Sequence, residues 1–326
     1  QQGQQEFVRH LGGLTLAQAR QAVAYCVLDN RRLDLEDLRK VLSRKARLLG
    51  ASSAVDFIPV EANRGDLGGF ASLKSWLTRA RHGFSQKARD LGLQPPRGIL
   101  IVGVQGCGKS LAAKAVAREW GLPLLKFDAG KLYDKYVGES ERNFRRALAS
   151  AEAMAPAVLW IDELEKAMGS VTSSETDGGL SRRIFGAFLT WLQERRSEVF
   201  LVATANDLMQ LPPEFLRKGR FDEIFFVDLP DEAERRAIFA IHLRQRNQDP
   251  EAFALDECAR ISVGYSGAEI EQAIVAALYR ALSLDRDLDS DLILAEVRYL
   301  IPLSRTRRED VERLRSLAAD RFVNVR

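Results

Sequence analysis

The segment Gly103-Val-Gln-Gly-Cys-Gly-Lys-Ser110 carries the pattern G-x-x-x-x-G-K-[S/T] and decides the fold class of this 326-residue chain. An apolar run at 98–102 precedes it, and apolar residues at helical spacing follow over 109–120. A strand, a glycine-rich loop and a helix in this order place backbone N–H groups and the positive end of the helix around phosphates. Lys109 is expected to reach the β- and γ-phosphates, and the Ser110 hydroxyl is expected to bind Mg²⁺.

The pattern therefore predicts a nucleoside triphosphate site. The flanking strand and helix argue against the alternative, a glycine turn that matches by chance. The expected nucleotide contacts in this loop are Gly103, Gln105, Gly106, Cys107, Gly108, Lys109, Ser110 and Leu111.

The composition is that of a soluble globular protein, with 46% hydrophobic and 29% charged residues. The 48 basic and 45 acidic residues give a net charge of +3, which is too even to imply a nucleic-acid footprint by itself.

The three cysteines and three histidines show neither paired spacing nor a ligand cluster, so a disulfide framework or zinc site is not expected and the cytoplasm is favoured. The apolar runs are too short for membrane insertion. The start at Gln1 without methionine indicates missing upstream sequence, unless it is a processed or trimmed start.

Strand-like and helical segments alternate between Gly98 and Leu229, which predicts an α/β fold with a parallel sheet covered by helices on both faces. The predicted strands are 98–104, 123–127, 157–162, 199–205 and 224–227, and the predicted helices between them are 109–120, 139–153 and 180–195. Helical patterns alone follow, at 232–244, 256–262, 266–283 and 290–300, which predicts a small all-helical lid.

The first 50 residues are also helical, and residues 13–23 resemble residues 264–274. Residues 6–49 are therefore interpreted as the lid of an upstream domain related to the downstream one. The alternative is two unrelated capped helices, because capping and core spacing force some similarity. The predicted divisions are an N-terminal helical segment (1–50), a linker (51–65), a large α/β ATPase subdomain (66–229), a helical lid (230–304) and a C-terminal helix (305–326).

Two carboxylates follow the apolar run 157–161. Asp162 is expected to hold Mg²⁺, and Glu163 to polarise the attacking water as general base. The next predicted strand ends at Asn206, whose amide is expected to position water or touch the γ-phosphate, unless it only caps the following turn. Arg217 and Arg220 are expected to enter a neighbouring subunit's site and neutralise phosphoryl charge, which implies a ring. A surface salt-bridge pair is the alternative.

These motifs resemble those of the AAA ATPases in the narrow sense, the clade that includes katanin and the FtsH protease, and most of all the SpoVK-like bacterial and plastid members. The resemblance covers about residues 62–303. It implies ATP and Mg²⁺ as ligands and a homo-oligomeric ring, expected to be a hexamer. It also implies roles for particular residues: adenine contacts at Leu67 and Gly68, a phosphate sensor at Asn206, arginine fingers at Arg217 and Arg220, a ribose neighbour at His242, and lid contacts to nucleotide at Gly267 and Ala268. For His242 the alternative is a lone histidine with its hydrogen bonds satisfied inside the protein.

Two departures from the family matter. Cys107 stands where the family usually has threonine, and a small residue that fits the loop is the favoured interpretation. The alternative is redox inhibition, because a thiol beside a helix N-terminus can have a lowered pKa. A downstream H-E-x-x-H pattern is absent from the sequence, so the resemblance to FtsH does not extend to its protease.

Tyr136 and Val137 lie in an aromatic-apolar-glycine segment before a predicted helix. The resemblance implies that this pair grips an extended polypeptide at the centre of the ring; a tyrosine packed under its loop is the alternative. A polar glycine-rich stretch at 168–179 is interpreted as a second pore loop, with a plain surface loop as the alternative. The favoured function is therefore ATP-driven polypeptide remodelling or unfolding. A nucleic-acid motor or loader would need a clustered basic channel and salt-sensitive binding. An ATP-gated scaffold or regulatory switch would not depend on Tyr136.

Overall fold

The computed structural model describes residues 16–30, 54–58, 69–132, 139–167, 180–195, 197–217, 219–319 and 321–326. The strands are β1 (Val55–Ile58), β2 (Gly98–Gly103), β3 (Leu124–Phe127), β4 (Ala157–Ile161), β5 (Val199–Ala205), β6 (Glu223–Val227) and β7 (Val323–Asn324). They form a seven-stranded sheet in the order β1-β3-β4-β5-β2-β6-β7. β1 pairs antiparallel with β3, whereas β3 with β4, β4 with β5 and β6 with β7 pair in parallel. This mostly parallel sheet confirms the predicted fold class.

Helices occupy most of the remaining described chain. They are α1 (Leu16–Asn30), α2 (Ala71–Ala80), α3 (Gln86–Asp90), α4 (Lys109–Trp120), α5 (Glu139–Ala153), α6 (Leu164–Ala167), α7 (Leu180–Glu194), α8 (Glu232–Arg244), α9 (Leu255–Ile261), α10 (Gly267–Ser283), α11 (Ser290–Tyr299), α12 (Leu303–Thr306) and α13 (Arg308–Ala318). Short 3₁₀ segments lie at Arg81–Phe84, Ala129–Leu132, Leu208–Gln210, Pro213–Leu216 and Pro250–Ala252. Within the described residues, no helix has both the length and the apolar character needed to cross a membrane.

The chain divides into two compact units. The first comprises Gln1–Ala62, Leu77–Leu100 and Ala113–Glu223. Strands β4 and β5 are buried along their whole length there, as expected for parallel strands covered on both faces. A line of edge-to-face and tilted aromatic pairs connects Phe127, Phe144, Phe188 and Phe215, with centroid separations of 5.5, 5.9 and 5.7 Å. These rings form the core under α5 and α7.

The second unit comprises Asn63–Trp76, Ile101–Ala112 and Ile224–Arg326. Its helical part has its own core, built from the apolar faces of α8 to α11 and including Phe239, Ile270, Ile274 and Ile293. Tyr265 joins this core at its edge, where its hydroxyl donates to the Val297 and Leu300 carbonyls. Capping boxes start α8 at Asp231 and α10 at Ser266, so both helix boundaries are encoded locally.

Several elements differ from the predictions. β1 lies inside the segment 51–65 that we predict as a linker. Helices α2, α3, α6 and α12 are not among the predicted helices, although Leu73 and Leu77 bury one face of α2. β7 adds a two-residue strand after the C-terminal helix. The two strands are four and two residues long, too short for a periodic signal in the sequence.

Candidate functional site

The glycine-rich loop follows β2 in a conformation that glycine alone adopts without strain. Gly103 has φ +150°, and a Cβ there would lie 2.0 Å from the Val227 carbonyl oxygen. The next residue, Val104, donates its N–H to that same oxygen at 3.0 Å. Gly106 and Gly108 have φ values of +78° and +86°. The loop thus turns tightly and stays bonded to the end of β6.

Lys109 begins α4 and is buried, with 6% of its surface exposed. Its Nζ donates to the Gly103 oxygen at 2.8 Å and the Val104 oxygen at 2.7 Å. These bonds hold the ammonium against the loop that is predicted to surround phosphates. Ser110 and the 41%-exposed Leu111 follow in the first turn of α4.

The N-terminus of α10 contacts the glycine-rich loop within the second unit. Ala268 N–H donates to the Gly106 oxygen at 3.0 Å, and a Cβ on Gly267 would lie 3.3 Å from that oxygen. The capping box between Ser266 and Glu269 fixes this helix start. Gly267 and Ala268 are therefore placed beside the loop, and a side chain at Gly267 would crowd it.

The surroundings of Cys107 favour the small-residue interpretation over an activated thiol. The side chain is buried, with 8% exposure, and burial raises the pKa of the Cys107 thiol from 9.0 to about 12. The ammonium of Lys109 lowers this pKa but does not offset the burial. A buried thiol with a raised pKa is unreactive, in agreement with the favoured interpretation of Cys107 as a small residue that fits the loop.

The acidic end of β4 meets the end of β5 within the first unit. The register pairs Ile161 with Ala203. One residue further on, the Thr204 hydroxyl donates to Asp162 Oδ1 at 2.6 Å and accepts the Glu163 N–H at 3.0 Å. Asn206 directly follows the end of β5, two residues after Thr204, and its Nδ2 donates to Glu163 Oε1 at 2.9 Å. The structure thus brings the predicted acid pair and the predicted amide into one network.

Glu163 is held from a third direction. Its backbone adopts φ +51°, and Lys166 Nζ donates to Oε2 at 2.7 Å. Lys166 is 70% exposed, and the hydrogen bond from its ammonium to Glu163 raises the Lys166 pKa. The buried Glu165 accepts the Asn206 backbone N–H at 3.0 Å, which fixes the turn after β5.

The two arginines predicted as fingers differ in environment. Arg217 ends the 3₁₀ segment Pro213–Leu216 and is exposed. Arg220 is half-buried, and its Nη1 donates to the Leu189 oxygen of the same chain at 3.2 Å. The guanidinium of Arg220 is thus anchored to α7.

His242 lies on α8, and burial lowers its pKa, against an opposite effect from Glu271. Its Nδ1 is 3.8 Å from Glu271 Oε1 and has no hydrogen-bond partner among the residues that the structure describes. The predicted adenine contacts Leu67 and Gly68, and the predicted pore-loop pair Tyr136 and Val137, lie outside the described residues.

Sequence reasoning assigned no role to Thr204 or Lys166. A weak signal for Thr204 exists, because it is a hydroxyl residue at the end of β5, two positions before Asn206. Lys166 follows Glu163 by three residues, which is one helical turn. The contacts of Thr204 and Lys166 with the acid pair depend on the strand register and on the turn after β4, which the sequence pattern does not show.

The donors present suit a Mg²⁺–nucleotide complex. Mg²⁺ prefers oxygen ligands and takes one or two from protein beside those of the phosphates. Each unit by itself contains such a donor: the second has the Ser110 hydroxyl, and the first has the Asp162 carboxylate, which Thr204 orients. The glycine-rich loop leaves no room for a Cβ at Gly103 or Gly106. A Cβ on Gly103 would lie 2.0 Å from the Val227 oxygen, and a Cβ on Gly106 would lie 2.9 Å from Ser266 Oγ. The residues therefore fit the implied group.

A glycine-rich loop between a buried strand and a helix, and an acid pair bonded to an amide at neighbouring strand ends, are the parts of a P-loop nucleoside triphosphatase. Residues 99–229 match the family model of the ATPases associated with various cellular activities (AAA), and residues 1–52 match the SpoVK-like AAA ATPase second domain. The chain carries an AAA ATPase domain and belongs to the AAA family, as its motifs predict.

The chain is similar to the AAA domain-containing protein ycf46 of Pyropia yezoensis, with 40% identity over 309 residues, which cover 94% of this chain and 63% of that protein. It is 35% identical to human ATPase family gene 2 protein homolog A over 236 residues, covering 70% of this chain and 26% of that protein. It is also 35% identical to the proteasome-activating nucleotidase of Aeropyrum pernix over 201 residues, covering 60% of this chain and 48% of that protein. The chain thus spans less than two thirds of the length of these relatives. The matched domain and the ATPase relatives support an ATP-hydrolysing enzyme.

Proposed function

We propose that this chain hydrolyses ATP with Mg²⁺ in a homo-oligomeric ring and uses the energy to remodel or unfold polypeptides in the cytoplasm. The observation that carries the hydrolytic part is the network at the ends of β4 and β5. There the Asn206 amide lies 2.9 Å from the Glu163 carboxylate, and the Thr204 hydroxyl lies 2.6 Å from Asp162. A base, an orienting amide and an oriented metal ligand are the groups that phosphoryl transfer to water requires.

The chain's own residues divide the work as follows. Lys109 leaves the Gly103 and Val104 oxygens and reaches the phosphates, with the loop N–H groups around them. Ser110 and Asp162 would hold Mg²⁺, which supplies positive charge beside the transferring group. Asn206 holds Glu163 Oε1 in place. Glu163 Oε2 takes the proton of the attacking water once the exposed Lys166 swings away.

The two arginines support the proposed ring. Arg217 is exposed and free to reach a neighbour's site, whereas Arg220 would have to leave the Leu189 oxygen to do so. We propose that the ring is a hexamer. We also propose that each subunit is divided as the sequence predicts, at 1–50, 51–65, 66–229, 230–304 and 305–326. His242, Gly267 and Ala268 would face the nucleotide from the lid.

A polypeptide substrate is supported by the name of the Aeropyrum relative, which is said to activate a proteasome. The sequence supports it through Tyr136 and Val137, an aromatic-apolar pair suited to gripping an extended chain. ATP-driven movement of the lid would shift this pair.

The first test separates binding from hydrolysis. We expect Glu163→Gln to bind a fluorescent ATP analogue as tightly as the wild type and to lower kcat by about 10²–10⁴-fold, the range for a general base. Lys109→Ala should lose the binding itself. Lys114→Ala, an exposed lysine later on α4, is the matched control and should change neither quantity. Near-wild-type turnover in Glu163→Gln would contradict its role as base.

The second test concerns the ring. Subunits with Arg220→Ala, mixed with Lys109→Ala subunits, should regain part of the ATPase activity, because each mixed boundary can combine one intact Lys109 with one intact Arg220. Lys109→Ala subunits that also carry Arg220→Ala should give no rescue. Equal activity in both mixtures, with mixed rings shown by differential tagging, would contradict action across a boundary.

The third test concerns the substrate. The Glu163→Gln ring should retain an unfolded, labelled polypeptide in the presence of ATP, and Tyr136→Ala in that background should release it. Retention that is independent of Tyr136 and ATP would favour the scaffold function instead.

A further inference from the structure

Thr204 is a buried hydroxyl group inside the proposed hydrolytic site. It is 1% exposed and lies on β5. Its Oγ1 donates to Asp162 Oδ1 at 2.6 Å and accepts the Glu163 N–H at 3.0 Å. One side chain therefore contacts both members of the acid pair, Asp162 through its carboxylate and Glu163 through its backbone.

A hydroxyl can make both contacts at once through a single atom. A hydroxyl has one hydrogen to donate and lone pairs that accept, whereas valine, with nearly the same shape, can do neither. Serine keeps both capacities. The pairing of Ile161 with Ala203 places Thr204 at the level of Asp162, so the position is set by strand register. The φ of +51° at Glu163 needs local support, because a non-glycine residue rarely adopts it.

We propose that Thr204 is a positioning residue for hydrolysis, which orients the Asp162 carboxylate toward Mg²⁺ and fixes the backbone turn that presents Glu163. This inference rests on the proposed ATPase function. Hydrogen bonds to a ligating carboxylate set its orientation, and removing such an outer partner typically weakens metal binding by about 10–100-fold. The 2.6 Å bond to Asp162 is short enough for a charge-assisted hydrogen bond.

The experiment compares the wild type with Thr204→Val and Thr204→Ser as full-length chains. Mn²⁺ binding to the protein–ADP complex is measured by electron paramagnetic resonance, and ADP binding is measured separately in EDTA. We expect Thr204→Val to weaken Mn²⁺ binding by about 10–100-fold with unchanged ADP affinity in EDTA. Thr204→Ser should stay within about threefold of the wild type. Thr204→Ala, smaller and also without the hydroxyl, should behave like the valine variant and replaces it if valine prevents folding.

Steady-state kinetics give a second readout. The ATPase kcat should fall in Thr204→Val and recover in Thr204→Ser, with KM for ATP nearly constant at saturating Mg²⁺. Wild-type Mn²⁺ affinity in both hydroxyl-free variants, or equal losses in Thr204→Ser and Thr204→Val, would overturn the inference. A wild-type protein that binds no ADP and hydrolyses no ATP would instead overturn the proposed function, so the two failures are distinguishable.

Discussion

Replacing Gly103 with alanine tests whether the glycine-rich loop depends on the close approach seen at β6. The added Cβ would lie 2.0 Å from the Val227 oxygen and 2.8 Å from the Val227 carbonyl carbon and nitrogen, all backbone atoms that cannot rotate away. The backbone would have to separate by about 1 Å, because carbon and oxygen atoms rarely approach closer than about 3 Å. That movement would break the 3.0 Å bond from Val104 N–H to the Val227 oxygen.

Three contributions set the expected loss in the free energy of unfolding. The φ of +150° costs alanine about 1–3 kcal/mol. Forcing extra volume into a packed site costs about 1–3 kcal/mol, and leaving a buried N–H without its partner costs about 1–3 kcal/mol. Since relaxation shares these costs, we expect Gly103→Ala to lower the free energy of unfolding by about 3–6 kcal/mol, and to abolish nucleotide binding.

Alanine substitutions at two other glycines separate the cost of backbone strain from the cost of the close approach. Gly121 has φ +65° with no atom within 4 Å of an added Cβ, so Gly121→Ala should cost only the backbone strain. Gly186 is an exposed residue inside α7, also with open space around it, and Gly186→Ala should stabilise by about 0.5–1 kcal/mol. Urea unfolding followed by circular dichroism gives all three values. If Gly103→Ala lost no more stability than Gly121→Ala, the argument from close approach would be refuted.

Two further outcomes are expected. Lys166→Met should raise the ATPase kcat by about two- to fivefold, because Glu163 Oε2 loses the ammonium group that lies 2.7 Å away. Lys166→Arg can keep the ion pair and should leave kcat unchanged. A fall in kcat for Lys166→Met would contradict the mechanism. Cys107 should resist iodoacetamide at pH 8 in the folded protein, because a pKa of about 12 leaves roughly one thiol in ten thousand ionised, and should react fully in urea. Mass spectrometry of the Cys107 peptide measures this, and rapid labelling of the folded protein would refute the burial argument.

The sequence predicts those parts of the fold whose signals are local. The loop pattern and its flanks give β2 and α4 nearly to the residue, and helical periodicity with capping residues gives α8 and α10. β1 escapes prediction because a four-residue strand carries little periodic signal, and its partner β3 lies more than 60 residues away. The pairing of β1 with β3 depends on the folded sheet and cannot be seen in the sequence of residues 51–65 alone.

The site divides in the same way. Asp162, Glu163 and Asn206 follow from their places at strand ends, because parallel strands bring their carboxyl ends to one edge. The contacts of Thr204 do not follow from any pattern in β5, since they require both the register of β4 with β5 and the turn at Glu163. Strand ends thus predict which residues gather, whereas the hydrogen bonds among them depend on register.

Cys107 shows why neighbours in sequence are an insufficient guide to chemistry. A helix N-terminus stabilises a nearby anion by about 0.3–1 kcal/mol, which is less than one pH unit of pKa. Burial acts in the opposite direction and reaches several pH units for a fully enclosed group. With 8% exposure the second effect wins, and the thiol pKa rises to about 12 even beside Lys109. The sequence shows the helix start and the lysine, but the enclosure of the thiol depends on the chain that closes around it. A thiol at this position becomes an activated one only if the loop around it opens.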